Sequence, residues 1–276
     1  MKKFKLGVLA MALVSMLGFT SCLDGGETST TGGGYEIVKV NNFMGLHTFT
    51  TQYGVTLTPL NTSQVETWPT TEFAYIGFTY EQEGVTENGI DVTLFGMQRI
   101  PDGRVIPNAP TEADANAGIY SLSSTSNSQF VYGFYQLNDL FLYMSFYIRN
   151  VDQDDMLDEI DTHQFSLYYD PAEDFTSSSM TLYLRHNVTN MAEDDQFRTL
   201  VEDWRHFDLS PALSSYKAAY GKEPTNIIIS YEQSTDGSYE DNRVSDRTAE
   251  FNYTDAVNYY KQWLESQEGN NNSDEE

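Results

Sequence analysis

The sequence predicts an all-β protein in two parts, a small barrel followed by a β-sandwich, with short helical segments near the C-terminus. Three observations carry that prediction. Aromatic residues make up 14% of the chain, with 19 Tyr and 16 Phe, and such side chains suit pleated, half-buried surfaces. Residues 139–150, DLFLYMSFYIRN, place Leu140, Leu142, Met144, Phe146 and Ile148 on one face and Phe141, Tyr143, Ser145, Tyr147 and Arg149 on the other. That period of two, with one wholly apolar side, is what a sandwich strand requires. Between residues 35 and 98, five short runs separated by turn residues have the spacing of a small barrel.

The chain opens with MKKFK and an apolar run from Leu6 to Phe19. At 14 residues this run is too short to span a bilayer core, which takes roughly 20 as a helix, and it has the length of a secretory signal core. It ends in Phe19-Thr20-Ser21-Cys22, which resembles a bacterial lipobox although Phe19 stands where Leu is usual. Residues 1–21 are therefore expected to be a lipoprotein signal peptide, and Cys22, the only cysteine of 276 residues, the site of lipid attachment (diacylglycerol and palmitate). One acyl chain holds a protein only marginally, whereas several anchor it stably. Residues 23–34, LDGGETSTTGGG, read as a flexible tether.

The barrel is expected over residues 35–112, its strands at 35–40, 46–50, 54–59, 73–81 and 90–98. Three prolines in PDGRVIPNAPTEADANAG, residues 101–118, break the pattern and suggest a domain boundary near 110–118. The sandwich then spans 116–267, with strands at 139–150, 163–169, 180–188 and 225–233 and another within 195–210. A short helix is expected over 211–221, and a second over 254–267 with Thr254 as N-cap. Residues 268–276 read as a disordered acidic tail.

Removing residues 1–21 takes three lysines and no acid, which leaves 12 basic residues against 41 acidic ones, a net charge of −29. A chain this acidic repels phosphate backbones, which excludes nucleic acid as a partner. Its expected partners are the membrane, through the lipid, and either a glycan or a cationic protein or peptide.

The most metal-like run is DQDDMLDEID, residues 152–161, with Asp152, Asp154 and Asp158 among its six acids. It fails the EF-hand pattern, because Met156, Leu157 and His163 fill the fifth, sixth and twelfth positions. A solvated hairpin tip with at most weak Ca²⁺ binding is expected, and no other cofactor. The histidines 47, 163, 186 and 206 lack zinc spacing. Alternation puts His163 and His186 on apolar faces, as half-buried core residues. No nucleophile elbow, P-loop or dinucleotide fingerprint is present. Trp68, Trp204 and Trp263 suit sugar stacking in kind, but three in this length are more often core residues.

The segment LYLRHNVTN, residues 182–190, together with LNDLFLYMSFYI, HQFSLYY and NIIISYEQSTDG, resembles the NigD-like lipoproteins of Bacteroidota, as do YEIVKVNN and YGVTLTP in the first half. The chain departs from that pattern at TSQVETWPTTEF, where basic residues are expected. The resemblance implies an OB-like N-terminal domain, a C-terminal β-sandwich and a place in the cell envelope, most simply the outer membrane. It brings no catalytic residues. Arg185 and Asn187, pointing opposite His186, are its candidate recognition residues. The expected function is binding without catalysis; the alternative is a glycan hydrolase using an unrecognised carboxylate pair.

Overall fold

The structure, a computed structural model, describes residues 31–65, 68–86, 89–111, 114–123, 133–192, 196–235 and 244–271. Residues 1–21, expected to be a signal peptide, and Cys22 lie outside the described residues. Contacts divide the chain into two compact units, one ending at Pro101 and the next beginning at Asp102.

The first unit is built from β1 (Thr31–Phe43), β2 (Leu46–Thr50), β3 (Thr56–Pro59), β4 (Phe73–Glu81), the two-residue β5 (Val85–Thr86) and β6 (Gly89–Ile100). The order β3-β2-β1-β4-β6 closes on itself through a parallel β3–β6 pairing, so five strands form a barrel. These are the five runs read from the sequence. Inside lie Val38, Phe49, Leu57, Ala74, Ile76, Phe78, Ile90 and Val92.

One expectation fails at the start of β1. Gly32, Gly33 and Gly34 belong to the strand, paired with Tyr80, Thr79 and Phe78, and Thr31 Oγ1 donates to Glu81 at 3.0 Å. Glycine is needed at position 32 for closeness: a Cβ there would fall 2.4 Å from the Tyr80 ring. Composition alone reads such a run as a tether.

The second unit packs two sheets around one core. One sheet has the order β13 (Phe197–Asp208), β10 (Asp139–Arg149), β8 (Ser121–Ser123), with β9 (Phe134–Tyr135) also on β10. The other runs β15 (Val244–Asn252), β14 (Asn226–Ser234), β12 (Ser179–Val188), β11 (His163–Tyr168), β7 (Arg104–Ile106). The inward residues of β10, from Leu140 to Ile148, are all fully buried.

The junction after Pro101 precedes the 112–116 region inferred from sequence. Despite its prolines, the intervening segment is bound into the sandwich: β7 pairs in parallel with β11, and Ala117 and Ile119 bridge to His186 and Gln233.

The acidic run is a helical connector and not a hairpin tip. Helix α1 (Met156–Asp161) joins β10 to β11, and because these strands lie in different sheets, a hairpin cannot link them. Met156 and Ile160, four apart, turn toward the core. Helix α2 (Ser210–Tyr220) has Pro211 in its first turn and ends at Gly221, whose φ is 68°. Helix α3 (Tyr253–Asn271) differs from expectation at both ends. Asn252 is its cap, since its Oδ1 accepts the Asp255 N–H at 3.1 Å, and the helix extends into the segment read as a tail.

Candidate functional site

The strands bring the ionisable residues of the second unit into one buried network. In β13, Asp203 and Arg205 pair with Met144 and Leu142 of β10, so both side chains point between the sheets. They form an ion pair there, both buried. The Arg205 guanidinium lies 5.0 Å from the Phe165 ring centroid and 5.8 Å from that of Phe146. The Nη1 that pairs with Asp203 also donates to the Trp204 carbonyl at 2.8 Å, and Asp203 accepts the Trp204 N–H at 3.0 Å.

Beside this pair, His163 of β11 and His186 of β12 meet at 2.9 Å. Their tautomers follow from hydrogen-bond accounting. His186 Nδ1 lies 3.1 Å from the Gly118 carbonyl, which can only accept, so Nδ1 donates and Nε2 accepts. His163 Nδ1 must then be the donor between the rings. His163 Nε2 is left facing Glu159 Oε1 at 3.5 Å. Burial first, and then the nearby arginines, hold His163 down to about 4 despite Glu159. Burial, then His163 and Arg205, hold His186 well below the ordinary imidazole range. Both are neutral at physiological pH. The expectation of half-buried core histidines is thus sharpened: both are wholly buried and bonded to each other.

Glu159 lies at the edge of the network, bonded to Arg149. Burial works to raise its carboxyl, but hydrogen bonds from Arg149 outweigh that and hold it below the usual range. Arg149 Nη2 is 2.8 Å away. Among the described residues no three His, Cys, Asp or Glu side chains converge to hold a metal, and Asp152, Asp154 and Asp158 surround no common point.

His206 is held differently. Its Nδ1 donates to Asp102 and its Nε2 to Asp139, both at 2.8 Å. Two bonds to carboxylates require both nitrogens to carry protons. Burial alone would lower the imidazole, but the two acids prevail and raise it to about 9. With Gly103 N–H donating to the His206 carbonyl at 2.7 Å, this clamp ties the first residues of the unit to β13. A raised imidazole stabilises fully below pH 6.5, and that contribution is lost as pH rises through about 9. In urea unfolding across pH 6–10, the native protein should lose more stability over that window than His206→Gln. A pH-independent gap between the two would contradict the clamp.

Arg185 and Asn187 lie on the outer face of β12, as the alternation implied. Arg185 is already engaged, 3.8 Å from Glu232, 5.7 Å above the Tyr183 ring and bonded to the Leu184 carbonyl. Asn187 pairs in register with Gln164. Trp68 stacks on His47 with centroids 4.1 Å apart, Trp204 packs on Tyr143 at 4.9 Å, and Trp263 on Tyr260 at 5.7 Å.

The sequence reading missed the Asp203–Arg205 pair, although alternation in VEDWRHFD sets both on the face of Val201 and Phe207. It also missed Glu36. That residue pairs with Ile76 and so faces the barrel interior. Burial raises its carboxyl to about 8 against one hydrogen bond from the Gln52 N–H, and Oε1 has no hydrogen-bond partner among the described residues.

No protein-family profile matches the chain, and no curated protein does. Among solved structures, it is similar to a protein from Bacteroides fragilis NCTC 9343 that is predicted to be a lipoprotein. The two share 25% identity and a TM-score of 0.67 over 80% of this chain and 98% of that one. A protein of unknown function from Bacteroides vulgatus ATCC 8482 gives a TM-score of 0.51 at 16% identity, over 80% of this chain and 91% of its own. The neighbours also include a NigD-like immunity protein from Bacteroides caccae ATCC 43185, with a TM-score of 0.45 and 15% identity over 82% of this chain and 94% of that one. The first two of these share the fold of this chain, and the Bacteroides fragilis protein among them is predicted to be a lipoprotein.

Proposed function

We propose that the protein is a non-catalytic binding protein of the cell envelope, anchored to the outer membrane by lipid on Cys22. The observation that carries this reading is how the second unit uses its reactive side chains. His163, His186, Asp203 and Arg205 are buried between the sheets, and His206 is clamped by two carboxylates. Groups bonded to one another away from water stabilise a fold and do not present a proton or a nucleophile to a substrate. The Bacteroides fragilis neighbour, itself predicted to be a lipoprotein, supports the anchor. A membrane-tethered body that keeps its chemistry internal acts through its surface.

Fractionation of cells expressing the native protein and Cys22→Ala tests the anchor. The native form should sediment with outer membranes, and Cys22→Ala should move to the soluble fraction. Equal retention of both would overturn the lipid reading.

A cationic protein partner is the second reading. The tip of the β1–β2 hairpin exposes Phe43, Met44 and Leu46 at 70%, 89% and 70% on a strongly acidic chain. Apolar side chains in an acidic setting suit a basic, apolar-grooved surface. A photocrosslinker at Met44 should capture such a partner in cells.

A further inference from the structure

The barrel carries an aromatic surface that the buried chemistry of the second unit does not explain. Tyr35 on β1, Tyr75 on β4 and Phe95 on β6 come together on its outer face. The rings of Tyr35 and Tyr75 are nearly parallel, 15° apart with centroids at 5.7 Å. Phe95 stands edge-on to Tyr35 at 5.3 Å and 90°. Tyr35 is 51% exposed and Phe95 55%.

The register shows how this surface is built. Tyr35 lies opposite Gly77, and Gly77 opposite Gly96. A Cβ at position 77 would come within 2.5 Å of the Phe95 ring and 2.8 Å of the Tyr35 ring, so the two rings close over a bare backbone. At Gly96 a Cβ would meet nothing within 4 Å, which leaves an open floor next to them. Two pairs further along, and so on the same face, the exposed Thr79 and Thr93 face each other across β4 and β6. The site therefore offers rings in a corner arrangement, a flat glycine floor and flanking hydroxyls.

We infer that this face of the barrel is a binding site for a neutral glycan, with the rings of Tyr35, Tyr75 and Phe95 receiving the apolar faces of successive sugars and Thr79 and Thr93 bonding their hydroxyls. Charge excludes one ligand class, the anionic polymers. A chain of net charge −26 repels phosphate-bearing and uronate polymers, whereas a neutral sugar meets no such opposition. Rings held against a sheet are pre-organised, so little side-chain freedom is lost on binding. The simpler role of such rings is to cover strand glycines, and that role would be blind to sugar. This inference rests on the reading of the protein as a non-catalytic binder and names its ligand.

Affinity electrophoresis of the residue 22–276 chain, with Cys22→Ser to keep it soluble, tests the site in gels containing xylan, glucomannan, levan or mannan. Polygalacturonate serves as the acidic control. At least one neutral polymer should retard the chain and polygalacturonate should not. Tyr35→Ala and Phe95→Ala should each weaken the retardation by at least ~10-fold, and Phe95→Tyr should preserve it, with far-UV spectra unchanged throughout. Gly77→Ala, which pushes the rings apart, should weaken it as well. Migration unaffected by all four neutral polymers would overturn the proposal, as would retardation that persists in both alanine variants. Shortened polymer in the same gels would instead overturn the non-catalytic reading, so the two failures are separable.

Discussion

Replacing Glu36 by methionine is expected to stabilise the barrel by about 3 kcal/mol at pH 7. The carboxyl faces a cluster of Val38, Ala74, Ile76 and Phe78, and burial raises it to about 8. A raised carboxyl binds a proton in the folded state that the unfolded chain has released. Stability therefore falls as pH rises from about 4.5 through 8 and is level above that. At 1.36 kcal/mol per pH unit, the interval from 4.5 to 7 gives about 3 kcal/mol. Methionine has similar length, no charge and no lone pair to satisfy. The gain should shrink to about 1 kcal/mol at pH 5, because little of the titration has then occurred. Urea unfolding of both forms at pH 5, 7 and 8.5 measures it. A gain independent of pH would mean that packing and not ionisation is responsible.

The second large effect is in the sandwich core. Arg205→Met should destabilise the second unit by about 3–5 kcal/mol, because it strands the Asp203 charge between two sheets. Removing both charges, as Asp203→Leu with Arg205→Met, should return most of that loss, since an apolar pair of similar volume suits the surrounding Leu142, Met144 and Phe165. A double variant no better than the single would show that Arg205 matters for its ring contacts and not for its charge. The pair also bears on the histidines. Arg205 helps to hold His163 and His186 neutral, so the single variant should narrow the acid limb of stability, which lies between pH 6.5 and about 4 for His163, by raising its lower bound.

Much of the fold could be read in the sequence because its signals are local. FAYIGFTYE and IDVTLFGMQ are short apolar and aromatic runs bounded by turn residues, and they became β4 and β6. Pro211 and Gly221 bracket a helix whose ends need nothing distant. What escaped depends on register and on long-range pairing. The glycines of β1 read as a tether because their reason, the Tyr80 ring and the Phe78 carbonyl above them, lies almost fifty residues away. The prolines after Ile100 suggested a linker, yet β7 is recruited by β11 about sixty residues later. Alternation in YEIVKV separates Glu36 from Tyr35 without saying which of them faces inward.

The candidate sites follow the same division. Cys22 is proposed from the sequence alone, because a lipobox is a contiguous motif, and it lies outside the described residues. The buried histidine pair was half legible, since alternation turned both rings inward but could not pair them. The aromatic face was invisible: Tyr35, Tyr75 and Phe95 come from three strands and meet only because the barrel register puts Gly77 between them.

If the protein binds without chemistry, its glycan must survive contact with it. The soluble chain is incubated overnight with each retarding polysaccharide, and the polymer's chain length is then measured by size-exclusion chromatography. Saturable binding with the length distribution unchanged is expected. Progressive shortening that is abolished by a single Asp or Glu substitution would contradict it and make the protein a glycan hydrolase.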